Sequence, residues 1–254
     1  MPTQTDKAQR FHSLHTAGRP LILFNAWDAG SAAAVARAGA QAIATGSWSV
    51  AATSGYPDGE GLPFGLSMAN LERICAATDL PVTVDLERGY GAQPSAVAAS
   101  VAQAIAAGAV GCNLEDGVDA GLRATGEQAA RIRAARGAAQ ETLPAFFINA
   151  RTDLFLGSDP ATHAALLDDA LSRAAAYAAA GADGLFVPGL ADPRLIAQLA
   201  AASPLPLNVM AADSKPLAGR MAELGVARVS YGPQPYLLAM RALEAAAREA
   251  MQPA

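Results

Sequence analysis

Short apolar runs alternate along this chain with longer, alanine-rich amphipathic stretches, and the phrase repeats eight times. The runs at 21–27, 42–46, 80–85, 111–115, 145–152, 184–188, 205–210 and 228–231 have the continuous Val/Ile/Leu/Phe character of strands covered on both faces. Between them the spacing of apolar positions predicts helices at 30–38, 67–77, 94–107, 126–139, 161–180, after Asp192-Pro193, at 215–224 and at 235–251. Gly39, Gly108, Gly181 and Gly225 stand where left-handed caps end such helices. A polar helical stretch at 3–17, with Phe11 and Leu14 on one side and Gly18 and Pro20 at its end, precedes the repeat and is expected to cover one end of the domain. Eight strands each followed by a helix predict a single (β/α)8 barrel over 1–254, of the TIM type, with an N-terminal covering helix. A doubly wound sheet is the alternative, although its strands more often stop at five to seven.

Composition agrees with one α/β domain. The 254 residues are 52% hydrophobic and 16% charged, and 18 basic against 23 acidic side chains leave a net charge of −5. No basic run and no basic–aromatic interleaving supplies a footprint for nucleic acid or for an acidic membrane. No apolar stretch approaches the roughly 20 residues of a membrane span, and the N-terminus lacks an apolar signal core, so a cytoplasmic protein is expected. Cys75 and Cys112 are too few for a disulfide framework or a cysteine-based metal site.

If the strands close into a barrel, their C-terminal ends share one mouth, and polar residues far apart in sequence meet there. The ends supply Asn25, Trp27 and Asp28; Thr45, Gly46 and Ser47; Asp85 and Glu87; Asn113, Glu115 and Asp116; Asn149, Arg151 and Asp153; Asn208; and Ser230 and Tyr231. Asp85 and Glu87, two residues apart, should project to the same side of their strand, and Glu115 ends the neighbouring strand about 4.8 Å away. Three crowded carboxylates call for a cation, and an all-oxygen donor set suits Mg2+ or Mn2+ better than zinc. Arg151, read as the only cation at these ends, is shaped to hold a carboxylate or to stabilise an oxyanion. The turn Thr45-Gly46-Ser47 can bring backbone N–H groups together around an anion.

Several chemistries are disfavoured. Lys7 and Lys215 lie in or near helices, which argues against a Schiff-base lysine on a strand. His12, His15 and His163 fall in or beside helical segments and read as surface residues. No glycine-rich nucleotide fingerprint follows a strand.

At these residues the chain resembles the isocitrate lyase/phosphoenolpyruvate mutase superfamily. The matching segments are Thr45-Gly46-Ser47, Gly55-Tyr56-Pro57-Asp58, Asp85-Leu86-Glu87-Arg88-Gly89-Tyr90-Gly91 against the family's Asp-x-Asp-x-Gly-Tyr-Gly, Asn113-Leu114-Glu115-Asp116, Asn149-Ala150-Arg151-Thr152-Asp153 and Leu207-Asn208-Val209. The resemblance implies a Mg2+-dependent barrel that makes or breaks a C–C or P–C bond next to a 2-oxo acid. It places the metal at Asp85, Glu87 and Glu115 and Asp58 near its waters, with Arg151 and Asn208 on the substrate and Thr45, Gly46 and Ser47 on its carboxylate. It makes Arg151, Glu115 and Asp58 the catalytic set, and a homodimer or homotetramer the assembly.

The sequence also departs from that pattern. Residues 117–125 contain none of the Cys, Lys or His that family C–C lyases and mutases carry in a mobile loop, Gly189 stands where several lyases have Glu, and Glu87 replaces an Asp. From sequence alone three readings are open: a Mg2+-dependent lyase or hydrolase of a small 2-oxo acid or related di- or tricarboxylate, a binding protein or sensor that has lost turnover, and a metal-dependent pyruvate aldolase. The last helix, apolar at Leu237, Leu238, Met240, Leu243 and Ala247, is expected to pack between subunits as well as on its own barrel.

Overall fold

The computed structural model describes residues 2–119, 121–212 and 217–252. Eight strands, β1 (Leu21–Leu23), β2 (Ile43–Ala44), β3 (Val82–Asp85), β4 (Gly111–Glu115), β5 (Phe147–Arg151), β6 (Gly184–Val187), β7 (Leu207–Met210) and β8 (Arg228–Ser230), form one sheet in which every neighbouring pair is parallel. Its order runs β1-β8-β7-β6-β5-β4-β3-β2, and a parallel bridge between Ala26 and Thr45 joins the first strand to the second. Asn25 locks that seam: its Nδ2 donates to the Thr45 carbonyl at 2.9 Å while its Oδ1 accepts the N–H groups of Tyr231 and Gly232, each at 2.9 Å. The sheet is therefore a (β/α)8 barrel, and its strands are short and almost wholly buried because helices cover them outside and side chains fill them inside.

The helices are α1 (Gln4–Ser13), α2 (Ala29–Arg37), α3 (Ser47–Thr53), α4 (Phe64–Ala76), α5 (Pro94–Ala106), α6 (Thr125–Thr142), α7 (Leu167–Ala179), α8 (Pro193–Ala202), α9 (Ala218–Glu223) and α10 (Gln234–Ala250). The first is started by a capping box between Thr3 and Asp6, and it buries Phe11 against Phe147 at the N-terminal mouth of the barrel. That is the expected covering helix. Asp28 with Ser31 caps α2 in the same way, and Asp192 caps α8.

Four expectations are corrected. The first strand leaves the ladder at Leu23 rather than at Trp27, because Asn25 spends its side chain on the seam. The stretch up to Pro63 holds α3, and beyond β4 Gly117–Val118 pairs antiparallel with Gly121–Leu122. The helix expected from 161 begins as a 3-10 turn, Pro160–Leu166, and becomes α-helical only at Leu167. The histidines are not surface groups: His163 is buried, and His12 and His15 pack on Phe147 with ring centroids 4.9 and 4.0 Å away. Lys215 lies outside the described residues, as does the start of the helix expected there.

Packing differs most for α10, in which Pro235 is the one buried residue. Leu238 and Leu243 are 50% and 64% exposed, so the expected packing of this helix on its own barrel is confined to its first turns.

Candidate active site

At the C-terminal mouth a cavity of about 250 Å³ is lined by Gly46, Ser47, Asp58, Asp85, Asn113, Arg151 and Ser230 on its polar side. Gly46 and Ser47 reach it because β2 ends at Ala44 and the chain turns at once into α3. Asp85 is the last residue of β3; its backbone N–H donates to Thr45 Oγ1 at 2.9 Å and its Oδ2 accepts the Ser47 N–H at 3.3 Å. Its other oxygen, Oδ1, is buried and has no partner. A buried carboxylate oxygen left bare points to a missing water or cation.

Arg151 closes the opposite wall. Its Nε and Nη2 grip Asp153 at 2.6 and 3.1 Å, and its Nη1 meets Glu115 Oε2 at 2.8 Å. Burial opposes the charge on Arg151, but Glu115, Asp153 and Asp85 together raise its pKa above the ordinary guanidinium value. Behind it stands a second tier. Asp116, fully buried, accepts the Asp153 N–H at 3.0 Å on one oxygen and Arg173 Nη1 at 3.0 Å and Tyr177 Oη–H at 2.7 Å on the other. A side chain at Gly117 would displace Asp153 from this grip, since a Cβ would lie 2.5 Å from Asp153 Oδ2.

The loop after β3 overturns the alternation expected of Asp85 and Glu87. Glu87 has φ +51°, Gly89 +87° and Tyr90 +53°, so the chain winds left-handed as it leaves the strand and Glu87 does not continue the pleat. Its carboxylate turns to the Glu60 N–H at 2.5 Å and the Tyr90 hydroxyl at 2.9 Å, facing a niche of only about 10 Å³ beside Thr45 and Asp85. Burial, then the neighbouring Asp85 charge, pushes the Glu87 carboxyl up to about 7. Such a conformation persists only where it is held. Arg131 holds it, donating to the carbonyls of Gly91 at 2.8 Å, Ala92 at 2.5 Å and Arg88. Glu60 adds a bond from the Tyr90 N–H at 2.6 Å.

Asp85, Glu87 and Glu115 therefore do not crowd one point, and among the described residues no three Asp, Glu, His or Cys side chains are grouped to hold a metal. Glu115 faces an adjoining cavity with Arg88 and Asp153, on the far side of its ion pair with Arg151. Burial, reinforced by Asp153, Asp85 and Glu87 and opposed by Arg151, pushes the Glu115 carboxyl up to about 8. Thr45 supports Asp85 from behind, and Asn208 lies below the cavity, its Nδ2 3.3 Å from Ser230 Oγ.

Arg151 is also not alone. Arg228, expected as an ordinary strand residue, is fully buried, and its Nη2 donates to Asn113 Oδ1 at 3.1 Å. Since β4 and β8 are not neighbours, that bond crosses the barrel interior. Asn149 Nδ2 donates to the same oxygen at 2.9 Å. An arginine can only donate, so Asn113 must turn its oxygen downward and its Nδ2–H2 toward the cavity that it lines. Burial lowers the Arg228 pKa to about 9, while Asp85 pulls the other way. No periodicity marks this residue in the sequence, where Arg228 is simply the first residue of the run at 228–231 and Arg131 one residue of the helix expected at 126–139.

Residues 11–251 match the family model described as phosphoenolpyruvate phosphomutase. The chain belongs to this family. A solved structure of a candidate phosphonomutase from Burkholderia cenocepacia J2315 is 57% identical, with a TM-score of 0.94 over 98% of this chain and 100% of the other. The 2-methylisocitrate lyase of Escherichia coli K12 is 34% identical over 82% of this chain and 71% of its own. Phosphonopyruvate hydrolase, solved with oxalate and Mg2+, is 25% identical with a TM-score of 0.78 over 96% and 84%. As a member of the phosphoenolpyruvate phosphomutase family the chain is an enzyme of the isocitrate lyase/phosphoenolpyruvate mutase superfamily, whose relatives found here are lyases, mutases and hydrolases of oxo acids.

Two departures from the resembled lyases have structural counterparts. Where those lyases carry the mobile loop, Gly117–Val118 pairs antiparallel with Gly121–Leu122, and the Arg123 N–H donates to the Asp116 carbonyl at 2.8 Å. Gly189 has φ +90°, and a Cβ there would lie 2.4 Å from the Phe155 carbonyl oxygen, so no glutamate fits. Among the described residues no helix is long and apolar enough to cross a membrane.

Proposed function

We propose that this enzyme is a Mg2+-dependent lyase or hydrolase that makes or breaks a bond next to a small 2-oxo acid, passing through an enolate. The observation that carries the reading is the bare, buried Oδ1 of Asp85, a residue that lines one small cavity together with Arg151. The donors fit the ion: they are all carboxylates, and Mg2+ keeps several waters and needs only one or two protein ligands. Asp85 would hold it, with Asp58 on the same cavity, while Glu115 stands beyond Arg151 and Glu87 has both oxygens engaged by Glu60 and Tyr90. When bound, the ion would polarise the 2-oxo group and bind the adjacent carboxylate.

The protein's own groups do the rest. Gly46 and Ser47 offer backbone at close range to the substrate carboxylate, and Asn113 Nδ2–H2 donates from the floor. Arg151, fixed by Asp153 and Glu115, stabilises negative charge as it develops on the 2-oxo oxygen. The size of the cavity, below the roughly 300 Å³ at which drug-sized sites begin, restricts the ligand to a small acid.

Calorimetric titration with oxalate, a planar stand-in for a pyruvate enolate, tests the reading. Oxalate should bind with Mg2+ and not without it, and Asp85→Ala should abolish the binding; equal binding by the variant sinks the assignment. Turnover of methylisocitrate, oxaloacetate and phosphonopyruvate with Mg2+ then sorts the bond that is broken.

Association belongs to the same reading. With α10 standing largely clear of its barrel and presenting Leu238 and Leu243 to solvent, the chain forms a homodimer or a homotetramer through that helix.

A further inference from the structure

The cavity has a second side that the chemistry above does not use. Opposite the polar floor its walls are Trp48, Leu156, Phe186, Met210 and Pro233. Trp48 and Leu156 are 39% and 43% exposed, although both sit at the mouth of a site. Trp48 is braced in place by Tyr236, edge to face at 5.8 Å, and Tyr236 by Trp27 at 5.2 Å. Large apolar side chains held open to water around a cavity gain most when a ligand covers them.

Charge points the same way. Among the described residues Arg151 is the one cation that lines this cavity, and its single charge is already shared by two carboxylates, Asp153 and Glu115. Arg228 adds positive charge beneath the floor, where the 2-oxo acid end would lie, and does not reach the walls. Arg88 belongs to the adjoining cavity and is engaged by Asp119 at 2.6 Å. A second carboxylate or a phosphonate on the far side of the substrate would be desolvated against Leu156, Phe186 and Met210 with no counter-charge among the described residues.

We infer that the part of the substrate distal to its 2-oxo acid end is uncharged and apolar, an aliphatic or aromatic substituent rather than a second carboxylate or a phosphonate. The inference rests on the site being a 2-oxo acid site, and it adds what surrounds the rest of the molecule.

The test uses the full chain with Mg2+ and three ligands in parallel calorimetric titrations. Oxalate reports the 2-oxo acid end alone. The other two, 4-methyl-2-oxopentanoate and 2-oxoglutarate, share a five-carbon main chain and differ in carrying a branched alkyl tail or a second carboxylate. The expected result is oxalate binding together with at least about tenfold tighter binding of 4-methyl-2-oxopentanoate than of 2-oxoglutarate, the discrimination a buried hydrocarbon group supplies. Oxalate binding with 4-methyl-2-oxopentanoate no tighter than 2-oxoglutarate overturns the inference and leaves the 2-oxo acid reading standing. No oxalate binding removes both. Leu156→Lys, at an exposed wall position that does not threaten folding, should narrow or reverse the preference; an unchanged preference would remove Leu156 from the wall that reads the tail.

Discussion

Asp116 Oδ1 accepts the backbone N–H of Asp153 at 3.0 Å, and through that bond the end of β4 sets the pose of the arginine at the end of β5. Asp116 is in turn held by Arg173 and Tyr177 from α7, so a helix on the outside of the barrel reaches the site in two steps. Asp116→Asn keeps the shape and weakens the grip. It should reduce Mg2+-dependent oxalate affinity by about 10- to 100-fold, the usual effect of a lost outer partner, while the far-ultraviolet spectrum stays that of the parent. A folded variant with parental affinity would show that Arg151 is posed without this relay. Asp116→Ala, which leaves Arg173 buried without its charge partner, should cost about 3–5 kcal/mol in urea unfolding.

Arg131 makes a separate prediction. It supplies the donors for three carbonyls of the left-handed loop at 88–92, and removing them strands those oxygens inside the protein. Arg131→Met should destabilise the fold by about 2–4 kcal/mol. Arg131→Lys should recover only part of that loss, because one ammonium cannot reproduce the planar fork. A loss below about 0.5 kcal/mol, the ordinary scatter of surface substitutions, would mean that Glu60 and Ser100 suffice to hold the loop.

Stability at acid pH should depend on His15. Burial, and then the positive charge of Arg228, lowers its pKa to about 3 from an ordinary 6.5, with the Nδ1 contact to the Phe11 carbonyl at 2.8 Å opposing the shift. The folded protein thus keeps His15 neutral where the unfolded chain protonates it. Its contribution is complete above pH 6.5 and is lost as pH falls from 6.5 toward 3. Between pH 7 and pH 4.5 the parent should lose about 2 kcal/mol more stability than His15→Phe does, read from paired urea titrations. Parallel losses in the two proteins would show that the ring is free to protonate in place.

Light scattering at micromolar concentration should give a mass above that of one chain. The double variant Leu238→Glu, Leu243→Glu should shift it toward the monomer, since both side chains are already half or more exposed and tolerate charge within the single chain. A monomeric parent contradicts the association outright.

What the sequence determined by itself was everything carried by local pattern. Apolar runs of strand length, Thr3, Asp28 and Asp192 at helix starts and glycines at helix ends are decided within a few residues, so eight strand–helix units and a covering helix could be read before any contact was known. The motif segments likewise put Ser47, Asp58, Asp85 and Arg151 at one mouth, and the structure gathers those four around one cavity. Tertiary structure alone decided which way each charge faces. Asp85 and Glu87 part company because a positive φ at Glu87 breaks the two-residue period, and that angle is tolerated only because Arg131, forty-odd residues on, holds the neighbouring carbonyls. Arg228 looks like any strand residue until β8 and β4 face each other across the barrel, and Trp48, Leu156 and Met210 become one apolar wall only when three segments distant in sequence meet. Side-chain direction, burial and charge pairing depend on partners distant in sequence, and no local pattern encodes them.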